Sequence, residues 1–247
     1  MVKLNLKPSA ARLVPGVSAV RTELEHRRRY RYFAHLAKSQ ITADIACGFG
    51  YGTQQLAGQA RWAVGIDSHR DTLLLASRCY PAPHLGYVCG EVQRLPLASG
   101  SVDRIFSFLT IEYLSNPAAF LSEVRRILRL EGLFILATPN RLTHSPGQEK
   151  PRDPLHVQEW TLPELRGLLT QHFRWVLLLG QRRRLPCAIH TQPSERDHFL
   201  LAVCSEDMPL PAVQERIAHP PPARFRLDQY DFLRMTWRWL RWKTGRQ

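Results

Sequence analysis

The chain carries Ala43-Asp44-Ile45-Ala46-Cys47-Gly48-Phe49-Gly50-Tyr51-Gly52-Thr53, followed by Val64-Gly65-Ile66-Asp67. An apolar run with one embedded acid reads as a buried strand. The alternate glycines after it let the backbone pass close to a ligand with no Cβ in the way. The second apolar run stops at Asp67, 19 residues after Gly48. An acid at the end of the second strand is placed to accept hydrogen bonds from both hydroxyls of a ribose. The two strands are therefore expected to hold a nucleoside.

The glycine spacing narrows the choice. A dinucleotide site wants G-x-G-x-x-G, the third glycine allowing tight packing of helix on strand. Here that position is Thr53, and the third glycine comes early, at Gly52. The Lys-Ser/Thr pair of a phosphate-binding loop is also missing. The pattern calls for close backbone approach with little anion binding.

Outward from this stretch, strands and helices alternate. Residues 21–38 contain no breaker and read as a helix. Strands are expected at Ile41–Ala46, Trp62–Ile66, Leu85–Cys89, Arg104–Phe108, Leu133–Ala137, Trp175–Leu179 and Phe199–Cys204. Helices fall near Thr53–Gln59 and Asp71–Cys79. Asn116-Pro117 is an N-cap followed by proline at the first helical position, and that helix is expected to run to Gly132. Thr161-Leu162-Pro163-Glu164 matches a capping box for a helix to about Gln171. Such alternation predicts an α/β fold with a mainly parallel, doubly wound sheet. Residues 1–40 form a lead-in and capping helix, 41–205 the nucleoside-binding domain, 206–223 a Pro-rich linker and 224–247 a separate tail.

At 247 residues with 44% hydrophobic content, one such domain with extra segments is the natural size. No apolar run approaches membrane-spanning length and Met1-Val2-Lys3-Leu4-Asn5 opens no apolar h-region, so a cytoplasmic protein is expected. The five cysteines are scattered without a C-x-x-C pair, which excludes a disulfide framework or a cysteine zinc site. The net charge of +13 lies at the ends: residues 1–40 carry +7 and 224–247 carry +5, leaving the centre almost neutral. This argues against a nucleic-acid footprint across the core and leaves basic termini to meet something anionic.

Further motifs stand in a fixed order: Pro15-Gly16, Glu25-His26 with Arg29-Tyr30, Asp44 through Gly52, Ser107-Phe108 with Ile111-Glu112, Thr138-Pro139-Asn140-Arg141, and His156-Val157-Gln158-Glu159-Trp160. Together these pieces resemble the class I S-adenosylmethionine (SAM) methyltransferases over residues 12–205. Among these they look most like the bacterial group associated with surface-glycan and glycosyltransferase gene clusters. The resemblance implies a Rossmann-like sheet of seven strands, the last antiparallel, with helices on both faces, and SAM as cofactor. Ala46, Gly48 and Gly50 should pass under its methionine part, Asp44 orient its amino group and Asp67 bind the ribose. Glu91 and Val92 take the adenine edge, Phe108 lines the cleft, and Arg29 and Tyr30 meet the SAM carboxylate or close the site. The chain departs from the group at Phe49, Leu109 and Tyr113, where donor and acceptor should meet.

A hydroxyl acceptor must lose its proton, and histidine is the usual base near neutral pH. His156 is the first candidate, as base or as a loop anchor; Glu112 is the second, as base or as a solvated or capping carboxylate; His144 is the third. His26 reads as either lid or helix surface, and Arg182-Arg183-Arg184 as either an anion site or a solvated run. No metal site is expected. The acceptor implied is a sugar hydroxyl of a glycan, free or lipid-linked, or of a glycosylated metabolite; the alternatives are a small aromatic or lipid metabolite, RNA, or a non-catalytic SAM-binding partner subunit. In the tail, Arg234, Arg238 and Arg241 share a face with Asp231 at about 100° per residue, the rest being rich in Trp. Such a helix suits the inner membrane surface, or packs back on the domain or a partner subunit.

Overall fold

The computed structural model describes residues 20–184 and 187–218. Pro15-Gly16 and the tail 224–247 lie outside them.

Eight strands form one sheet: β1 (Ile41–Ile45), β2 (Trp62–Asp67), β3 (Leu85–Cys89), β4 (Val102–Phe108), β5 (Leu128–Pro139), β6 (Trp175–Gln181), β7 (Ile189–His190) and β8 (Phe199–Ser205). Their order is β3-β2-β1-β4-β5-β8-β6-β7. Pairings from β3 through β5 are parallel, whereas β8 runs antiparallel between β5 and β6. The eighth strand, absent from the sequence reading, is the two-residue β7, antiparallel to β6 at the sheet edge. A segment that short carries no readable periodicity.

The helices are α1 (Val20–Phe33), α2 (Tyr51–Ala57), α3 (Arg70–Cys79), α4 (Pro117–Ile127), α5 (Arg141–His144), α6 (Leu162–Thr170) and α7 (Leu210–Ile217). Successive residues of a strand face opposite sides, so each central strand feeds two cores. Phe134 and Leu136 pack with Phe120, Leu121 and Val124 of α4 and Leu165 of α6. Leu133 and Ile135 pack with Tyr30 and Phe33 of α1, Leu56 of α2 and Val213 of α7 on the other side. Asn116 caps α4 by accepting from Ala119 N at 3.1 Å, and the Thr161–Glu164 capping box is present.

Two boundaries move. The α4 helix ends at Ile127 instead of Gly132, because Leu128 turns extended and pairs with Val102 across a bulge in β4. A pairing so distant in sequence leaves no local mark. In 206–223, read as linker, Pro209 is the N-cap of α7 and Pro211 sits in its first turn. Proline suits a helix start, and Val213 and Ile217 are fully buried.

Strand order reverses between β1 and β4, and an open α/β sheet binds ligands at the carboxyl ends of its strands there. Ala46 and Leu109, the residues just after β1 and β4, are both non-glycine with left-handed φ, +59° and +57°. Strain of this kind gathers at functional sites.

Candidate cofactor and acceptor site

A cleft of about 1140 Å³ opens at this reversal. Its floor is the loop after β1. Gly48 has φ +54°, and a Cβ built there would meet no atom within 4 Å, so the backbone is bare toward the cleft it lines. Asp67 ends β2; its Oδ2 accepts from Gly48 N at 2.9 Å and its Oδ1 from His69 N at 3.0 Å. These two bonds hold the carboxylate rigidly beside the glycine loop. Ala46, Glu91, Val92 and Phe108 also line the cleft.

Three of the expected cofactor residues stand behind this surface. Gly50 is the N-cap of α2 with φ +77°, and a Cβ there would lie 2.5 Å from Tyr87 Oη. Its glycine is needed for packing against β3 and not for ligand approach. Asp44 is buried, accepting from Thr53 Oγ1 at 2.6 Å and from Tyr30 Oη at 3.0 Å. Burial pushes its carboxyl up to about 7 even though both donors oppose the shift. Its part is to lock Tyr30, which does line the cleft and packs edge-on to Phe108, with ring centroids 4.8 Å apart. Arg29 is fully buried; its Nε donates to Gln181 Oε1 at 2.7 Å and its guanidinium lies 4.0 Å over the Phe199 ring. Burial lowers its pKa to about 10.

His26, which reads in the sequence as either lid or helix surface, is buried and lines the cleft, hydrogen-bonded to Tyr51 Oη. Arg182, Arg183 and Arg184 are exposed, and Arg183 alone of the three reaches the cleft rim. Phe49, Leu109 and Tyr113, the departures from the resembled group, all line the cleft.

The opposite wall is built by Glu112 and His156. Glu112 is not solvated: it is fully buried in the turn after β4, and its Oε2 accepts from Thr138 Oγ1 at 3.1 Å. Its Oε1 has no partner among the described residues. Its main-chain carbonyl accepts from Val157 N at 2.8 Å, which ties the His156 loop to the end of β4. Burial raises the Glu112 carboxyl from 4.5 to about 8. The folded state thus keeps a proton that the unfolded chain releases, so stability is full at low pH and is lost as pH rises between about 4.5 and 8. Glu112→Gln, which carries no titrating proton, is expected to shrink that alkaline loss by on the order of 2 kcal/mol in urea melts at pH 5 and pH 8.5. An unchanged pH dependence contradicts the assignment.

His156 lies edge-on to Tyr113, centroids 4.9 Å apart, and its Nδ1 stands 2.7 Å from Glu159 Oε1. His144 Nδ1 stands 2.8 Å from the same oxygen. His198 follows, its ring 5.7 Å from His144, and burial lowers its pKa to about 4. Glu159 went unselected in the sequence although it sits three residues after His156, within the quoted His156–Trp160 motif. His198 has no sequence signal at all.

Comparisons with known proteins agree with this geometry. The family model described as "Methyltransferase domain" matches residues 43–136. A protein of Mycolicibacterium smegmatis named "Probable S-adenosylmethionine-dependent methyltransferase" is 35% identical over 171 residues, 67% of this chain and 66% of that one. A protein of Mycobacterium tuberculosis with the same description is 33% identical over 144 residues, 58% of this chain and 52% of its own. The match therefore spans between half and two thirds of these relatives' lengths. A malonyl-[acyl-carrier protein] O-methyltransferase of Laribacter hongkongensis is 35% identical over 108 residues, 38% of this chain and 36% of its own. Among solved structures, a SAM-dependent methyltransferase from Aquifex aeolicus superposes with TM-score 0.56 at 15% identity, over 78% of this chain and 98% of that one, which shows the fold. With the glycine loop, Asp67 and the strand order already in place, the matched domain, residues 43–136, belongs to the class I SAM-dependent methyltransferase family, whose cofactor is SAM.

Proposed function

We propose that this protein methylates a hydroxyl oxygen of a sugar, carried on a glycan or a glycosylated metabolite. The supporting observation is a set of polar side chains in the cleft: Tyr113, Thr143, His144, Asp153 and His156 line it alongside Leu114, Pro139 and Pro154. A lining with these donors and acceptors suits a polyol better than an aromatic or lipid acceptor, which would leave those groups unpaired.

When bound, SAM supplies a sulfonium methyl: the acceptor oxygen bonds to that carbon as the C–S bond breaks, S-adenosylhomocysteine remains, and the hydroxyl proton must be taken up. Asp67 and the Gly48 backbone hold the nucleoside end. Tyr30, clamped by Asp44, and Phe108 exclude water beside the reacting centre. Orientation in a desolvated cleft supplies most of the rate. Proton removal depends on the His156–Glu159 pair, in which a buried carboxylate orients the ring.

A second reading is favoured by Arg152 and Arg183, which line the cleft and could hold an acidic acceptor. In it, a carboxylate is esterified, as the name of the Laribacter hongkongensis relative describes for its own substrate. Tritiated SAM offered with nucleotide sugars, lipid-linked glycans and malonyl-acyl carrier protein separates the two. Label on a sugar oxygen supports the first reading, and label on malonyl ester alone sinks it. The basic Trp-rich tail, residues 224–247, is proposed to bring the enzyme to anionic lipid. Unchanged co-sedimentation with anionic vesicles after its removal refutes that role.

A further inference from the structure

Glu159 is an uneconomical carboxylate as it stands. It is buried, and two imidazole nitrogens, His156 Nδ1 at 2.7 Å and His144 Nδ1 at 2.8 Å, converge on its Oε1. Its Oε2 is buried without a partner among the described residues. A plain hydrogen-bonded anchor would share the two donors between the two oxygens, because an unsatisfied buried acceptor costs about 1–3 kcal/mol. The three donor atoms instead lie within 4.8 Å of one another. Two ligands about 2.1 Å from one ion stand roughly 3.0–3.4 Å apart, so a small outward shift of the rings admits an ion.

We propose that His144, His156 and Glu159 form a binding site for a divalent transition-metal ion of the zinc class. Two imidazoles and one carboxylate suit zinc and its neighbours and disfavour magnesium and calcium, which want oxygen ligands. Three protein ligands with a remaining position open are the arrangement of a catalytic rather than a structural site. His144 and His156 both line the cleft, so the open position is on the acceptor side. Asp153 Oδ2 lies 3.8 Å from His156 Nε2, on the far side of the ring from Glu159. A carboxylate in that place fixes the ring of a ligating histidine once the gap closes.

The backbone brings these residues together from two separate segments. His144 ends α5, just after β5, while His156 and Glu159 lie on the loop that enters α6. A bridge between Asn140 and Trp160 joins the two segments. The site thus depends on the fold and leaves no close-spaced ligand motif in the sequence.

What the ion does rests on the proposed function; that it binds does not. On that reading it takes the sugar hydroxyl to be methylated in its open position and lowers the pKa of that hydroxyl, whose proton passes to solvent. His156 then serves as a ligand through Nδ1.

The test is a titration of chelator-stripped full-length protein with Zn²⁺ against a chromophoric chelator, repeated with Mg²⁺. The expected result is one Zn²⁺ per chain, no competition by Mg²⁺, and at least about 100-fold weaker binding in Glu159→Gln and in His144→Ala. Zinc held instead by exposed Cys89 would survive both substitutions, and that outcome overturns the proposal. So does absence of stoichiometric zinc in wild-type protein that still binds SAM. A wild-type protein that binds zinc but not SAM fails the functional reading and leaves the ion site standing. SAM binding by each variant confirms that it is folded.

Discussion

Asp67→Ala is expected to weaken SAM binding by at least about 100-fold, measured by calorimetric titration. The Asp67 carboxylate is anchored on both oxygens by main-chain amides, Gly48 N and His69 N, and is almost fully buried. Each oxygen can accept a second bond. Two ribose hydroxyls donating to a preorganised anion form charge-assisted bonds of about 1.5–3 kcal/mol each, and their joint loss gives the stated factor. The substitution also removes the acceptor that fixes Gly48, so the floor of the cleft loses its shape along with its charge. Asp67→Asn keeps the volume and one acceptor and is expected to fall between the two. A change in affinity of less than about fivefold for Asp67→Ala places the nucleoside elsewhere.

The second large effect is on turnover. His156→Asn is expected to lower kcat with a sugar acceptor by about 10²–10⁴-fold while SAM affinity stays within about twofold. Asparagine can still pair with Glu159 and keep the loop in place, but it neither takes a proton nor ligates an ion as imidazole does. The His156 ring is set between Glu159 and the edge of Tyr113, on the wall away from Asp67. Its loss should therefore leave the cofactor half intact. Turnover within about threefold of wild type contradicts a role for His156 in proton removal and favours a carboxylate acceptor, which has no proton to lose.

The floor of the cleft is largely legible in the sequence, and the opposite wall only in part. Asp67 and Gly48 were readable because strand, turn and strand follow one another within about 25 residues, and local patterns place local chemistry. The capping signals at Asn116 and Thr161 were readable for the same reason. Arg29 and Gly50 show where such reading stops. Helical spacing puts Arg29 on a face with its neighbours, but not which face meets β6 and β8, and there it stacks on Phe199 behind the cleft. Gly50 looks like a ligand glycine until Tyr87, from another strand, is seen against it. Glu112 is open to reading as a solvated carboxylate because an acid at the start of a connection usually is; burial under the His156 loop instead raises its carboxyl to about 8. The Glu159 pairing with His144 required the β5 and α6 connections to be folded together, and no spacing rule spans such a contact.

The most direct test is a crystal structure of the protein with S-adenosylhomocysteine. Both ribose hydroxyls are expected on the Asp67 carboxylate, the adenine edge at Glu91 and Val92, and the sulfur directed toward the wall of Tyr113 and His156. A nucleoside lodged away from Asp67, or a sulfur turned from that wall, would contradict this arrangement.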